Sequence, residues 1–362
     1  MSFQTRIPLI RQIEENRSSS VICFLTSVRP GVNAQITDEQ VRVFFDHLLS
    51  LSVSPVENLD VFLCSNGGSS TVPWRLVALF REFAKKFNVL VPFRSYSAAT
   101  LISLGADEIV LHPFAELGPI DPTVSNNFNP VDKNGNQLGI SVEDVRAYVS
   151  FIKDTVGITH EDELIEAIKI LAEKVHPLAL GNVERFVMQS RMTAKKILKT
   201  HMREEADDHK INEIMETMVS KLYFHGHPIN RCEAGTDLRL KVAKPAPTLE
   251  NLMWQLYCDF EKDFKNNEAY LPGVTLAKMG IDAIQTAPPI PIPPLPPAPQ
   301  PTVPPIPAIN HKEDLLLVAI EDTKVSSTLQ STQHFQQTVD RNGTVLTNYQ
   351  KLIAYGWKHE KA

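Results

Sequence analysis

The chain has 362 residues, 43% of them apolar and 22% charged, with a formal net charge of −6 at neutral pH. That length can bury the core of one large domain or two ordinary ones, and the acidic balance leaves no basic footprint, which excludes nucleic acid as the main partner. Cys23, Cys64, Cys232 and Cys258 are scattered with no CxxC or paired metal spacing, as free thiols are in a reducing compartment. The N-terminus lacks the apolar stretch of a secretory signal, and no run reaches the roughly 18 apolar residues of a membrane span. A cytoplasmic protein with no membrane span is expected.

Up to residue 113 the chain alternates short apolar runs with amphipathic stretches. The runs VICFLT (21–26), DVFLC (60–64), NVLVPF (88–93) and EIVLHP (108–113) suit strands buried on both faces. Between them, Thr37 and Gln40 have capping-box spacing ahead of VRVFFDHLLSL. VPWRLVALFREFAKKF carries Pro73 in its first turn, where a missing N–H costs nothing. Strand, helix, strand, helix at this spacing predicts βαβ units and a parallel sheet covered by helices. From about 141 to 264 the pattern is helical: SVEDVRAYVSFIKD, EDELIEAIKILAEKV, NVERFVMQSRMTAKKILKTHM, INEIMETMVSKLYF and LENLMWQLYCDFEKDF. These helices are expected to cover the sheet or to form an oligomer surface.

Composition then changes. Twelve of the 20 residues from Pro288 to Pro307 are proline, which fixes φ and removes donors, so an extended polyproline segment is expected. The division is 1–276 for a main domain, 277–309 for a proline-rich linker and 310–362 for a small C-terminal segment of unknown role. The linker reads as a semi-rigid spacer whose PxxP steps could engage a partner protein. In the last segment DLLLVAIED has the pattern of a strand, and NYQKLIAYGW is compatible with a short helix.

Two stretches carry chemistry. FLCSNGGSS (62–70) is a buried strand ending in Ser65-Asn66 and then Gly67-Gly68. The glycines serve either a tight turn or a backbone N–H that an anion can approach because no Cβ blocks it. VPFRSYSAATLISLGADEIVLHP (91–113) is again strand, sharp turn and helix start, with Ser97 at the turn. Ser97 is either a small helix-start residue or a nucleophile favoured by the positive end of a helix. His225 and His227 are too few and too close for a zinc site and read as a turn. His176, followed by Pro177, reads as a capping or packing histidine at a helix end. Cys64 reads as a small core residue.

Taken in this order, SNGGSS, YSAATLISLGADE and HPFAELGPIDP resemble the Clp protease and signal-peptide-peptidase-A superfamily, which has the crotonase-like fold. VHPLALGNVERF and LYFHGHPINRCEA are similar to its serine dehydrogenase proteinase branch. The resemblance spans roughly residues 5–265; the proline-rich segment and tail lie outside it. It implies an α/β, Clp/crotonase-like fold of repeated ββα units with a parallel central sheet and a helical second half. It also implies a serine endopeptidase in a homo-oligomer, acting on peptide or protein substrates without cofactor or metal. By position, Ser97 becomes the nucleophile and the Gly68 and Ala98 N–H groups the oxyanion hole, with Ser95 as an alternative nucleophile.

The histidine that Clp-type enzymes use is missing, because that region reads GPIDP. Signal-peptide-peptidase-type enzymes use a lysine beyond the serine; Lys153 is taken as the base, with Lys133, His176 and Lys195 as alternatives. Burial of Lys153 on an amphipathic helix would lower its pKa toward neutrality, as a base requires. Two other readings keep the fold. One is a catalytically inactive scaffold recruiting partners through the linker and tail. The other is a crotonase-like thioester enzyme, although no basic cluster for the coenzyme phosphates lies near these segments.

Overall fold

The structure is a computed structural model that describes residues 3–51, 53–120, 123–124, 128–133, 137–218, 227–279, 285–286, 307–339 and 345–362. Most of the proline-rich linker, and His225, lie outside the described residues.

Helix α1 (Phe3–Arg17) leads into β1 (Ser20–Thr26), α2 (Glu39–Leu49), β2 (Val56–Cys64), α3 (Val72–Phe83) and β3 (Ala84–Val91). Then come β4 (Arg94–Ser95), α4 (Ala98–Leu104), β5 (Glu108–Leu111), β6 (Glu116–Leu117), β7 (Thr123–Val124) and β8 (Ile140–Ser141). The helical part holds α5 (Val142–Ser150), a π-helical turn (Phe151–Thr155), α6 (Glu161–Lys174), α7 (Pro177–Leu198) and α8 (Asp207–Glu216). After β9 (Ile229–Asn230), α9 (Arg231–Thr236) and β10 (Val242–Ala243) come α10 (Pro247–Phe264) and α11 (Pro272–Met279). The chain finishes with β11 (Gln285–Thr286), β12 (Pro307–Glu321), β13 (Val325–Val339) and β14 (Val345–Lys361).

Among the described residues the main sheet has nine strands in the order β10, β5, β3, β2, β1, β12, β13, β14, with β11 beside β12. From β10 to β1 the pairs are parallel, as the alternating pattern predicts. Period-two burial divides the strands between two apolar layers. Ile22, Phe24, Leu59, Val61, Leu63, Phe87 and Val89 face α2, α3, α4 and α7, while Val21, Cys23, Leu25, Phe62, Cys64 and Leu90 face α1 and α10. The first expected helix after the second strand stops at Phe83, and Ala84–Phe87 open β3 instead, because they pair with Val56–Leu59.

The sheet is mixed rather than purely parallel. β12 runs antiparallel to β1, matching Cys23 with Glu321 and Thr26 with Val318, and β13 and β14 continue the antiparallel order. The segment Asn348–Trp357 is strand, not helix: it pairs with Leu329–Gln337 of β13. Two-residue spacing puts Tyr355 and Trp357 on one strand face, and both donate to the Glu39 carboxylate, at 2.6 and 3.2 Å. A helix would turn these side chains away from each other.

Two buried polar networks fasten the tail. Arg6, 3% exposed, forks onto Glu321 at 2.8 and 2.9 Å and reaches Asp259 and Asp263 at 2.7 and 2.6 Å, joining α1, α10 and β12. His47 on α2 contacts Asp322 through Nδ1 at 2.7 Å and Ser327 through Nε2 at 3.0 Å, and Ser327 Oγ is 2.9 Å from His359 Nδ1.

Burial alone would push the Asp322 carboxyl up, but bonds from His47 and from the Lys324 and Val325 N–H groups hold it below its ordinary value. A depressed folded-state value gives stability that is complete above the unfolded carboxylate pKa and is lost as pH falls through the folded one. Asp322→Asn is therefore expected to lower stability at neutral pH by about 1–3 kcal/mol and to flatten the acid loss below about pH 4. Urea unfolding across pH checks this; an unchanged midpoint at neutral pH would contradict it.

Candidate functional site

The end of β2 is fixed from both sides. Ser65 N–H donates to Arg94 C=O at 2.9 Å and Tyr96 N–H to Ser65 C=O at 3.0 Å, which lays the Ser65–Ser69 turn beside residues 94–97. Ile36 N–H donates to Gly67 C=O at 2.9 Å, and Ser69 N–H to Ile36 C=O at 2.8 Å. Below the turn the buried Ser65 hydroxyl accepts from Thr26 Oγ1 at 2.7 Å and from Gly67 N–H at 3.0 Å.

Both glycines are needed for space and for backbone conformation. Gly67 has φ 103°, and a Cβ there would lie 2.7 Å from Ser97 Cβ and 3.2 Å from Ala98 N. Gly68 has φ 154°, and its Cβ would lie 2.3 Å from Ile36 O. Gly67 is thus the glycine pressed against Ser97, while Gly68, the one assigned to the oxyanion hole by position, lies against Ile36.

Ser97 directly precedes α4 with φ 52° and ψ −115°, a backbone conformation outside the ordinary regions for a residue with a Cβ. Its carbonyl accepts from Leu101 N–H at 3.1 Å, and Ala99 N–H donates to Tyr96 C=O at 2.9 Å. The Ser97 side chain is half-buried. Among the described residues its hydroxyl makes no hydrogen bond, and neither the Gly68 nor the Ala98 N–H meets an acceptor. Ser95 differs: it is fully buried, with Oγ 2.9 Å from Ser103 Oγ. Thr100 Oγ1 lies within bonding distance of the Ser95 and Gly118 carbonyls, at 2.6 and 2.9 Å, and ties the helix start to β4 and to the residue after β6.

The candidate bases lie elsewhere. Lys153 is exposed on the π-helical turn, not buried as a base at this site requires, and makes no hydrogen bond to Ser97. Lys133 is exposed in a turn. Lys195 is half-buried on α7 near Asp208, whose carboxyl Lys199 chiefly, and Lys195 in part, hold below its ordinary value. His176 caps α7: its Nδ1 accepts from Leu178 N–H at 3.2 Å and its ring stacks on Phe128. His227 pairs with Glu233 at 2.8 Å. Cys64 is a buried core thiol that burial pushes up to about 12. Among the described residues no three His, Cys, Asp or Glu side chains gather as metal ligands.

One cluster beside Ser97 has no local signal in the sequence. Tyr96 donates its hydroxyl to Glu116 Oε1, which also accepts from Arg94 Nε at 3.2 Å. Burial first, and this bond second, push the Tyr96 phenol well above its ordinary pKa. The Tyr96 ring fills the space that a Cβ on Gly118 would occupy. These contacts fix the residue before Ser97.

No family model matches the chain. Two uncharacterized proteins of Methanocaldococcus jannaschii align with it. One is 22% identical over 231 residues, 62% of this chain and 67% of the relative. The other is 22% identical over 266 residues, 69% of this chain and 79% of the relative. A solved structure of a mutant of a membrane-bound stomatin-specific protease matches with a TM-score of 0.35 and 14% identity, covering 65% of this chain and 83% of its own. At that level the likeness carries no argument about this chain. No helix among the described residues is long and apolar enough to cross a membrane.

The Ser97 backbone makes a direct prediction. A residue with a Cβ held in such a conformation costs about 1–3 kcal/mol, and glycine relieves most of that cost. Ser97→Gly is expected to be more stable than Ser97→Ala by about 1 kcal/mol, read as a higher urea midpoint. Equal midpoints would show that the conformation stores no strain.

Proposed function

We propose that this protein is a serine peptidase of Clp/crotonase-like fold that cleaves peptide bonds through an acyl-enzyme on Ser97. The observation that carries this reading is the conformation of Ser97, φ 52° and ψ −115°, whose hydroxyl makes no hydrogen bond among the described residues and which packs against the Gly67–Gly68 turn. In the reaction, Ser97 Oγ bonds to the scissile carbonyl carbon while its proton passes to a base. The carbonyl oxygen takes the negative charge and is held by the two N–H groups. The C–N bond then breaks as the base returns the proton to the leaving amine, and water releases the acyl group by the same route. Losing one such donor typically costs about 10²–10³ in rate.

The chemistry is of the Ser-Lys type, with Lys153 as the base. Lys153 is exposed in the single chain, so this role requires substrate or a neighbouring copy in a homo-oligomer to bring its amine to Ser97 and desolvate it. A cytoplasmic location and a partner protein at the proline-rich linker complete the proposal. A second reading, a non-catalytic scaffold of the same fold, is favoured by one observation: among the described residues no lysine amine or imidazole hydrogen-bonds to Ser97.

Intact-mass measurement after treatment with a serine-reactive fluorophosphonate separates the two. The peptidase reading predicts one adduct on the wild type, retained in Ser95→Ala and absent in Ser97→Ala, with peptidase activity falling at least about a thousandfold in Ser97→Ala. No adduct on folded protein, or one that persists in Ser97→Ala, would favour the scaffold.

A further inference from the structure

The loop from Ser27 to Ile36 connects β1 to the residue that holds the Gly67–Gly68 turn, and its own supports come from the far end of the chain. Ser27 N–H donates to Leu317 C=O on β12 at 2.8 Å, and Tyr270 N–H donates to Pro30 C=O at 2.7 Å. Arg29, 7% exposed, donates from Nη1 to Glu313 Oε1 on β12 at 2.8 Å and from Nε to Glu268 C=O at 2.8 Å. Its guanidinium also lies over the Tyr270 ring, 5.3 Å from the centroid. Gly31, at φ 87°, passes so close that a Cβ would stand 2.4 Å from Tyr270 O. Val32 packs on a small apolar cluster that includes Leu315 and Phe335.

A loop has few internal bonds, so its geometry is set by whatever satisfies its buried polar groups. Here that is a charge-assisted bond from Arg29 to Glu313, with a second from Arg29 to the Glu268 carbonyl, at the start of the loop and a backbone ladder at its end, where Ile36 bonds to Gly67 and Ser69. We propose that Arg29 and Glu313 are positioning residues for the site: β12 clamps the Ser27–Ile36 loop through this ion pair, and the loop in turn fixes the turn that carries the Gly68 N–H. The C-terminal strands are then part of the site's frame and not an appendage beyond a spacer. The consequence for catalysis rests on the peptidase reading above; the clamp itself does not.

The test uses the full chain with Glu313→Gln, Arg29→Lys and, as a control, Arg17→Gln. The control breaks the Arg17–Asp60 pair, 2.6 Å, at the opposite end of the same strands. Amide hydrogen exchange is followed at Ile36 and Ser69, and fluorophosphonate labelling is timed at Ser97. Glu313→Gln is expected to lower protection at both amides by about tenfold and to slow labelling in parallel, with Arg29→Lys intermediate and Arg17→Gln unchanged in both. Unchanged protection at Ile36 and Ser69 in Glu313→Gln overturns the proposal, as does an equal loss in Arg17→Gln, or loosened amides with undiminished labelling. If the wild type takes no phosphonate, the peptidase reading fails alone and exchange still decides the clamp. If Glu313→Gln does not fold, Arg29→Lys carries both measurements.

Discussion

The constraint on which this structure depends is the accounting of backbone hydrogen bonds around the Ser65–Ser69 turn. Buried N–H and C=O groups must be paired, and here the pairing comes from two directions at once: Ile36 on one side and Arg94–Tyr96 on the other. Only glycine fits between them at positions 67 and 68. Among the described residues the Gly68 and Ala98 amides are two that meet no acceptor, on segments that pack together at Gly67 and Ser97, a serine in a conformation that costs energy to hold. Packing normally removes both features, so their coincidence at the exit of two adjacent parallel strands is the strongest functional signal in the molecule.

The same requirement explains the C-terminal strands. An open parallel sheet ending at β1 would expose a row of unpaired groups next to the buried Cys23, Phe24 and Leu25. β12 covers that edge antiparallel and brings Glu321 to Arg6 and Asp322 to His47, so the edge is closed by pairing and locked by buried polar contacts, the first of them an ion pair. Removing one partner of such a buried pair costs far more than the pair contributes, because the other charge stays buried. The tail and the first helix are therefore mutually dependent, although more than 300 residues separate Arg6 from Glu321.

What was legible in the sequence was local. Continuous apolar runs marked β1, β2, β3 and β5, and Thr37 N–H does donate to Gln40 Oε1 at 3.0 Å, as the capping-box spacing expects. The strand–turn–helix pattern marked Ser97 and the glycine pair as worth following. What was not legible depends on distant partners. NYQKLIAYGW has no strand alternation strong enough to announce β14; its pairing with β13 and its bonds to Glu39 decide it. Which glycine meets Ser97 depends on Ile36, some thirty residues earlier. Helical periodicity leaves room for a buried Lys153, but α5 ends at Ser150 and the lysine on the π-helical turn that follows is exposed. Spacing along the chain brought a lysine into range and could not say which way it would face.

In the proposed reaction Gly68 and Ala98 act together as an anion-binding pair for chemistry at Ser97. The most direct measurement is a crystal structure of the full chain after phosphonylation. The peptidase reaction predicts phosphorus bonded to Ser97 Oγ and one phosphoryl oxygen about 2.7–3.1 Å from both the Gly68 and Ala98 nitrogens. A phosphonyl group whose oxygens avoid both amides, or one attached to another serine, would contradict it.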